Sequence, residues 1–242
     1  MPRRISGTAQ RLRSVLTVPD ITRTELYEAL DTVDDALNGG YRSRRPLPEF
    51  GHLAGAPNQT AAAGAPGTPD TPANDSLAAI AADAARCRAC RLAASRHQVV
   101  PGEGAEHPLV LVVGEGPGAE EDKTGRAFVG PAGQLLDKML GAIGLSRDTN
   151  TYIANVVKCR PPMNRDPAPD EQAACRPLFD RQLAILKPAA ILAVGRVPAQ
   201  SLLAVKDGIG KLRGTVWSFQ GIPLVATYHP SALLRDESLK RP

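Results

Sequence analysis

From residue 77 onward, short apolar runs alternate with stretches in which apolar positions recur every three or four residues. Residues 109–113 (LVLVV) are continuously apolar and run into a glycine turn, as a strand buried on both faces does. Residues 134–143 have helical character and 152–157 read as a second strand. Residues 170–186 form a longer helix, with Pro169 near its start and Pro188 beyond its end. A third buried strand is predicted over 189–194 and a short helix over 197–205. Residues 215–219 and 222–228 flank Gln220-Gly221 as a hairpin or strand pair. Strands alternating with helices predict an α/β domain with a mostly parallel central sheet covered on both faces. Sites in such sheets form at the carboxyl ends of strands. Two predicted strands here end in loops dense in chemistry, GEGPG after Val113 and HPS after Tyr228.

The first third is patterned differently. In residues 22–40, Leu26, Leu30, Val33 and Leu37 fall at helical spacing and Gly39-Gly40 supplies a stop, so a helical extension is expected within 1–50. Residues 51–76 are rich in Ala, Gly, Pro and Thr and contain no Lys or Arg. Such a stretch buries too little apolar surface to offset the entropy of ordering it, and a flexible linker is expected there. The α/β domain then spans 77–242.

Composition narrows the picture without deciding it. The formal charge of +4 on 242 residues permits a nucleic-acid partner but does not demand one. No apolar run reaches the roughly 20 residues that span a bilayer. The basic start lacks an apolar signal region, and acids arrive early at Asp20, Glu25 and Glu28. A cytoplasmic protein without membrane partners is expected, in which disulfides would be unusual.

That changes the meaning of the four cysteines. Cys87 and Cys90 form a C-x2-C pair; Cys159 and Cys175 complete the set. Four thiolates hold either a [4Fe–4S] cluster or a structural zinc, and the spacing leaves both open. Arg86, Arg88, Arg91, Arg160 and Arg176 lie close to the cysteines in sequence. They would offset thiolate charge or touch phosphates, although arginines on a solvated surface need no such role.

Gly114-Glu115-Gly116-Pro117-Gly118 follows a predicted strand, which lets a backbone approach a ligand closely. No Gly-Lys-Ser/Thr follows, so it is not a P-loop. Nor does the pattern read as GxGxxG with a helix opening directly behind it, and alone it is equally a structural turn. Its neighbours add chemistry. Glu120-Glu121-Asp122 lies just beyond, and Phe128, in a glycine-flanked loop, is placed to stack on a flat ring. Asn155 sits in a strand that otherwise wants apolar residues, and an unpaired buried amide costs about 1–3 kcal/mol. His229 ends the last strand with a nitrogen able to donate to an anion.

Taken in order and spacing, these stretches resemble the family 4, iron–sulfur uracil-DNA glycosylases. GEGPGAEED at 114–122, GRAFVGPAG at 125–133, NVVKCRPP at 155–162 and YHPSALLR at 228–235 are similar to that family's signature motifs, and the cysteines to its cluster ligands. The likeness runs from about Ala85 to the end. It implies a three-layer αβα fold and a monomeric repair enzyme that removes uracil from single- or double-stranded DNA, leaving an abasic site. It also implies a [4Fe–4S] cluster on Cys87, Cys90, Cys159 and Cys175. By the same resemblance Glu115, Gly116 and Glu121 line the pocket, Phe128 stacks on uracil, Asn155 reads its edge and His229 faces its O2. Glu115 or Glu121 would assist catalysis, and Ser231, Arg235, Lys211 and Arg213 would grip the phosphates.

Two departures stand against the likeness. Ala119 replaces a frequent acid, and the family's closing helix after HPS is not continued here, so a truncated C-terminus is expected. Two other readings stay open. One is a non-catalytic iron–sulfur DNA-binding module; the other is a family X-like covalent uracil-DNA binder, whose basic, histidine-bearing insert is replaced here by RPPMNRDPAPDE.

Overall fold

A computed structural model describes residues 75–240. The helical extension expected within 1–50 and most of the expected linker lie outside the described residues. Asp75 and Ser76, the last residues of the expected linker, are described. Ser76 caps helix α1 (Leu77–Arg86) by accepting from the Ala79 N–H, and Asp75 takes two hydrogen bonds from Arg181 at 2.7 Å.

The sheet has six strands: β1 (Glu103–Gly104), β2 (Val110–Gly114), β3 (Thr151–Asn155), β4 (Ala190–Val194), β5 (Val216–Phe219) and β6 (Ile222–Thr227). Their spatial order is β1-β3-β2-β4-β6-β5. The four central strands are parallel, while β1 and β5 are antiparallel edges. The helices are α2 (Ala119–Thr124), α3 (Pro131–Gly141), α4 (Pro169–Leu186), α5 (Arg196–Leu203), α6 (Ile209–Leu212) and α7 (Pro230–Arg235).

Strand alternation divides the core in two. Val110, Val112, Ile153, Leu192 and Val225 point to the face covered by Leu136 and Leu140 of α3. Leu111, Val113, Ala154, Ile191 and Leu224 point to the other, under Phe179 and Leu183 of α4 and Leu202 of α5. This is the expected three-layer αβα arrangement.

The differences are local. Residues 156–157, expected to extend β3, leave the sheet to pair with the glycine loop, Val156 N–H on the Gly114 carbonyl and Val157 N–H on that of Glu115. A helix, α2, does open directly behind GEGPG, contrary to expectation. It is only six residues long, too short for the hydrophobic periodicity that reveals helices.

Candidate active site

All four parallel strands deliver their carboxyl ends to one edge. Gly114 pairs in register with Asn155 across β2 and β3, and Gly195 donates to the Thr227 carbonyl at 2.8 Å across β4 and β6. The sheet therefore sets the glycine loop beside Asn155 and the Gly195 turn beside His229. A methyl group placed on Gly114 would come within 2.4 Å of Asn155 Oδ1 and 2.5 Å of the Phe128 ring. Only glycine lets the ring and the amide close over β2 at that point. The Phe128 ring in turn lies 5.6 Å, centroid to centroid, from His229. The topology thus brings together Phe128, Asn155 and His229, which are far apart in sequence.

Each is held differently. Phe128 adopts φ +52°, a left-handed backbone rare outside glycine. What fixes it is Arg147, which donates to the carbonyls of Ala127 (2.8 Å) and Phe128 (3.0 Å) while pairing with Glu103 and Asp137. Asn155 is buried and its Oδ1 has no hydrogen-bond partner. His229 Nδ1 accepts from the Ser231 N–H at 3.1 Å and contacts the Ser231 hydroxyl at 2.8 Å. A neutral ring that accepts at Nδ1 carries its proton on Nε2. Burial, reinforced by the Arg235 charge and opposed by Glu121, pulls the His229 pKa down to about 4, so the ring stays neutral at physiological pH.

The two candidate carboxylates differ. Glu121 accepts from the N–H groups of Val129 and Gly130 (both 2.9 Å) and of Gly118 (3.1 Å), so it braces the glycine loop against the Phe128 loop. Glu115 carries no such brace. Burial, with Asp166 adding repulsion and Arg196 opposing, lifts its pKa to about 7. Beside it, a cavity of about 700 Å³ between α4 and α5 is lined by Asp166, Gln172, Arg176, Arg196, Gln200 and Ser201. Its lining includes none of Phe128, Asn155 and His229. Gly116 faces Val157, which a side chain there would strike, and lies in contact range of Pro161.

The expected phosphate-binding residues are less concentrated. Ser231 is engaged by His229, and Arg235 is exposed at the end of α7. Arg213 lies over the Tyr228 ring at 4.7 Å, next to His229 in sequence, and Lys211 pairs with Asp207 at 3.3 Å.

The four cysteines are free thiols, Cys159 and Cys175 buried. They are close enough to influence one another's ionisation: Cys90 acts on Cys159 and on Cys175. Donors already face the sulfurs. Arg96 reaches Cys159 Sγ at 3.0 Å, and the N–H groups of Lys158 and Ala89 point at Cys175 and Cys87 at 3.3 and 3.5 Å. The arginines singled out by sequence proximity do other work. Arg86 pairs with Asp83, Arg91 with Glu171 and Arg176 with Asp180, Arg160 bonds Asn164, and Arg88 donates to the Cys87 carbonyl. Arg96 is the cation that reaches a sulfur, and the fully buried Lys158, whose charge acts on Cys175, donates from Nζ to the Asn155 carbonyl at 2.9 Å. Sequence proximity missed both, along with Arg147; a lysine inside the apolar NVVKC run was the one available signal.

The sequence profile described as "Uracil DNA glycosylase superfamily" matches residues 101–242. The chain is 48% identical to a type-4 uracil-DNA glycosylase of Thermotoga maritima over 152 residues, 61% of this chain and 77% of that one. A type-4 uracil-DNA glycosylase of Pyrobaculum aerophilum is 43% identical over 155 residues, 60% of this chain and 78% of that one. A type-5 uracil-DNA glycosylase of the same organism is more distant, 34% identical over 55% of this chain and 66% of its own. With more than half its length matched, and relatives at these identities spanned over three-quarters of theirs, the chain belongs to the uracil DNA glycosylase superfamily, among its type-4 enzymes.

Proposed function

We propose that the strand-end cluster is a uracil pocket, in which the chain cuts the N-glycosidic bond of an extruded deoxyuridine and leaves an abasic site. A base inside the helix stack is out of reach of catalytic groups, so the nucleotide is drawn out at a cost of a few kcal/mol. The observation that carries this reading is the orphaned Oδ1 of Asn155, buried beside the Phe128 ring. A uracil stacked on Phe128 supplies N3–H to that oxygen and O4 to the amide nitrogen. Cytosine presents an acceptor and a donor at the same positions and would leave both unpaired.

As the C1′–N1 bond breaks, its electron pair passes to uracil and spreads onto O2. The proton on Nε2 of a neutral His229 is a fixed donor for that charge, and preorganised donors of this kind usually supply the largest catalytic contribution. The sugar, left cationic, takes water at C1′, and that water gives up a proton. Glu115 suits the base, with a pKa near the working pH and a carboxylate that carries no structural load. Glu121 does not, because its oxygens already accept three backbone N–H groups.

Cys87, Cys90, Cys159 and Cys175 are proposed to hold a [4Fe–4S] cluster. The all-thiolate donor set and the N–H and guanidinium donors on the sulfurs fit it. When bound it would cross-link the 87–90 loop, the segment after β3 and α4, ordering rather than driving the chemistry. Iron analysis and visible absorption of the purified protein, repeated on Cys175→Ser, test this; stoichiometric zinc would overturn it.

For the pocket, uracil-containing oligonucleotides are incubated with wild type and Asn155→Asp, and abasic sites are opened with alkali. Strand scission by wild type, with loss of uracil cutting or gained weak cutting at cytosine in the variant, is expected. Equal uracil cutting by both proteins would remove Asn155 from the pocket.

A further inference from the structure

We propose that Met163 is a wedge that enters the DNA base stack beside the extruded nucleotide, an inference that rests on the glycosylase reading above. An exposed methionine alone means little, because isolated apolar residues are common on surfaces. Three features set this one apart. First, Met163 is 92% exposed, whereas the next most exposed large apolar residue among those described, Leu234, is at 47%. Second, it adopts φ +56° and is followed by Asn164 at φ +53°. Two successive left-handed residues, the first with a long side chain, form a strained turn that projects that side chain outward, and such strain gathers at functional sites.

Third, the tip is braced, and its loop starts beside the glycine loop. Pro161 and Pro162 lead into it, Arg160 Nε bonds Asn164 Oδ1 at 2.7 Å, and the Asn164 and Arg165 N–H groups turn back onto Pro161 and Pro162. Beyond the tip, Arg165 grips the buried Glu171 carboxylate through two hydrogen bonds of 2.6 and 2.8 Å. Pro161 meanwhile packs on Gly116 of the glycine loop, where an added Cβ would sit 3.4 Å from its ring. The loop therefore begins at the rim of the uracil pocket and carries its apolar tip outward, with Arg160 and Arg165 on either side. Apolar wedges flanked by arginines are how proteins unstack and kink a duplex. A preformed tip avoids ordering a flexible chain at the moment of binding.

A wedge matters where a stack must be opened, so the test compares strands. Met163→Ala, Met163→Gly and Met163→Leu are assayed on uracil opposite guanine in a duplex and on the same uracil in a single strand, with 2-aminopurine beside the uracil to report unstacking. Because uracil in a single strand needs little unstacking, Ala and Gly are expected to lose about tenfold in kcat/KM on the duplex, together with the fluorescence rise, and to stay within about twofold on the single strand. Leu is expected to recover most of both signals. Gly relieves the left-handed strain, so its thermal stability should match or exceed wild type, which separates loss of the wedge from loss of fold. Duplex activity and fluorescence of Met163→Ala equal to wild type would overturn the proposal. So would an equal fall on both substrates. Should wild type cut no uracil at all, the glycosylase reading fails. The wedge would still be supported by a duplex fluorescence rise seen in wild type and lost in Met163→Ala, and overturned without one.

Discussion

The strand-end pocket and the cysteine corner are both built from buried polar groups, and they are finished differently. Beside the cysteines the buried carboxylate is fully partnered by the protein, whatever the thiols come to hold. Glu171, fully buried, accepts from Arg91, Arg165 and the Ala168 N–H, so one carboxylate ties the cysteine loop to α4 and to the Met163 loop. In the proposed pocket the groups assigned to the chemistry are left incomplete: Asn155 Oδ1 has no partner, His229 uses one nitrogen, and Glu115 lacks the brace given to Glu121. Satisfied polar groups make a scaffold. Unsatisfied ones, costly in an empty protein, mark where a ligand completes the set.

The largest effects should fall on the incomplete side. Removing the imidazole donor proposed for the pocket, His229→Ala is expected to lower kcat about 10²–10³-fold. Because the His229 pKa lies near 4, its neutral form persists through the neutral range and its titration should not appear in the pH–rate profile there. Glu115 should appear. Its pKa of about 7 means that the carboxylate form accumulates as pH rises, so kcat should climb through pH 7, and Glu115→Gln should remove that limb with a loss of about 10²-fold. The linkage has a definite sign. Since the folded pKa lies above the ordinary 4.5, the stability contributed by the protonated form is lost as pH rises from 4.5 through 7. Glu115→Gln should therefore melt higher than wild type at pH 8 while being less active. An inactive variant with unchanged melting would separate Glu115 from the strained pocket.

Next in size is the residue that shapes the pocket without entering it. Arg147→Met keeps much of the side-chain bulk but frees the carbonyls of Ala127 and Phe128. Phe128 at φ +52° should then relax, with a loss of about 10-fold to 10²-fold in kcat/KM, much of it in KM as the stacking surface is misplaced. Arg147→Lys should recover only part, since one ammonium cannot span two carbonyls and two carboxylates. A pure kcat loss with unchanged KM would show that the ring is not a binding surface.

These examples also show why the sequence was legible in some places and silent in others. The strands were readable because continuous apolar runs of five residues bounded by glycine have few other uses, and the parallel order followed from alternation with helices. Phe128 and Asn155 stood out because each broke its local rule, an aromatic between glycines and an amide in a buried strand. Arg147 and Glu171 broke none. A surface-type residue in a polar stretch reads the same whether it points to water or inward, and only the folded chain tells them apart. For the same reason Arg86, Arg91 and Arg176, close to the cysteines in sequence, proved to serve carboxylates, while Arg96 reached the sulfur. Glu121 had the same pattern as Glu115 in sequence; α2, too short to be periodic, separates them by turning Glu121 back onto its own N-terminus.

On the completed side, effects should appear in stability and not in the chemistry. Glu171→Gln keeps the shape and removes the charge facing Arg91 and Arg165, which is expected to cost about 1–3 kcal/mol, discounted because both arginines are partly exposed. The Arg165 interaction, with Arg91 assisting against burial, holds the Glu171 pKa down to about 2. Its contribution is therefore present above pH 4.5 and lost as pH falls towards 2, so wild type and variant should converge in acid. Uracil cutting per folded molecule should be unchanged on single strands. A selective loss of activity at full stability would blur the distinction between the two regions.

The smallest effect tests the distinction within the pocket itself. Ser231 touches His229 twice, through its hydroxyl and its backbone N–H. Ser231→Ala removes only the hydroxyl. If the backbone contact fixes the tautomer, Nε2 stays protonated and kcat should fall no more than about threefold, because the loss is one neutral hydrogen bond of about 1 kcal/mol with a second donor in place. The hydroxyl can instead be the phosphate contact that the motif implies. In that case KM should rise for DNA while kcat holds, and the rise should shrink at high salt, where phosphate contacts count for less. A fall in kcat approaching that of His229→Ala would mean that the ring depends on the side chain for its orientation. The pocket would then be as fully braced as the cysteine corner, and the contrast between the two would disappear.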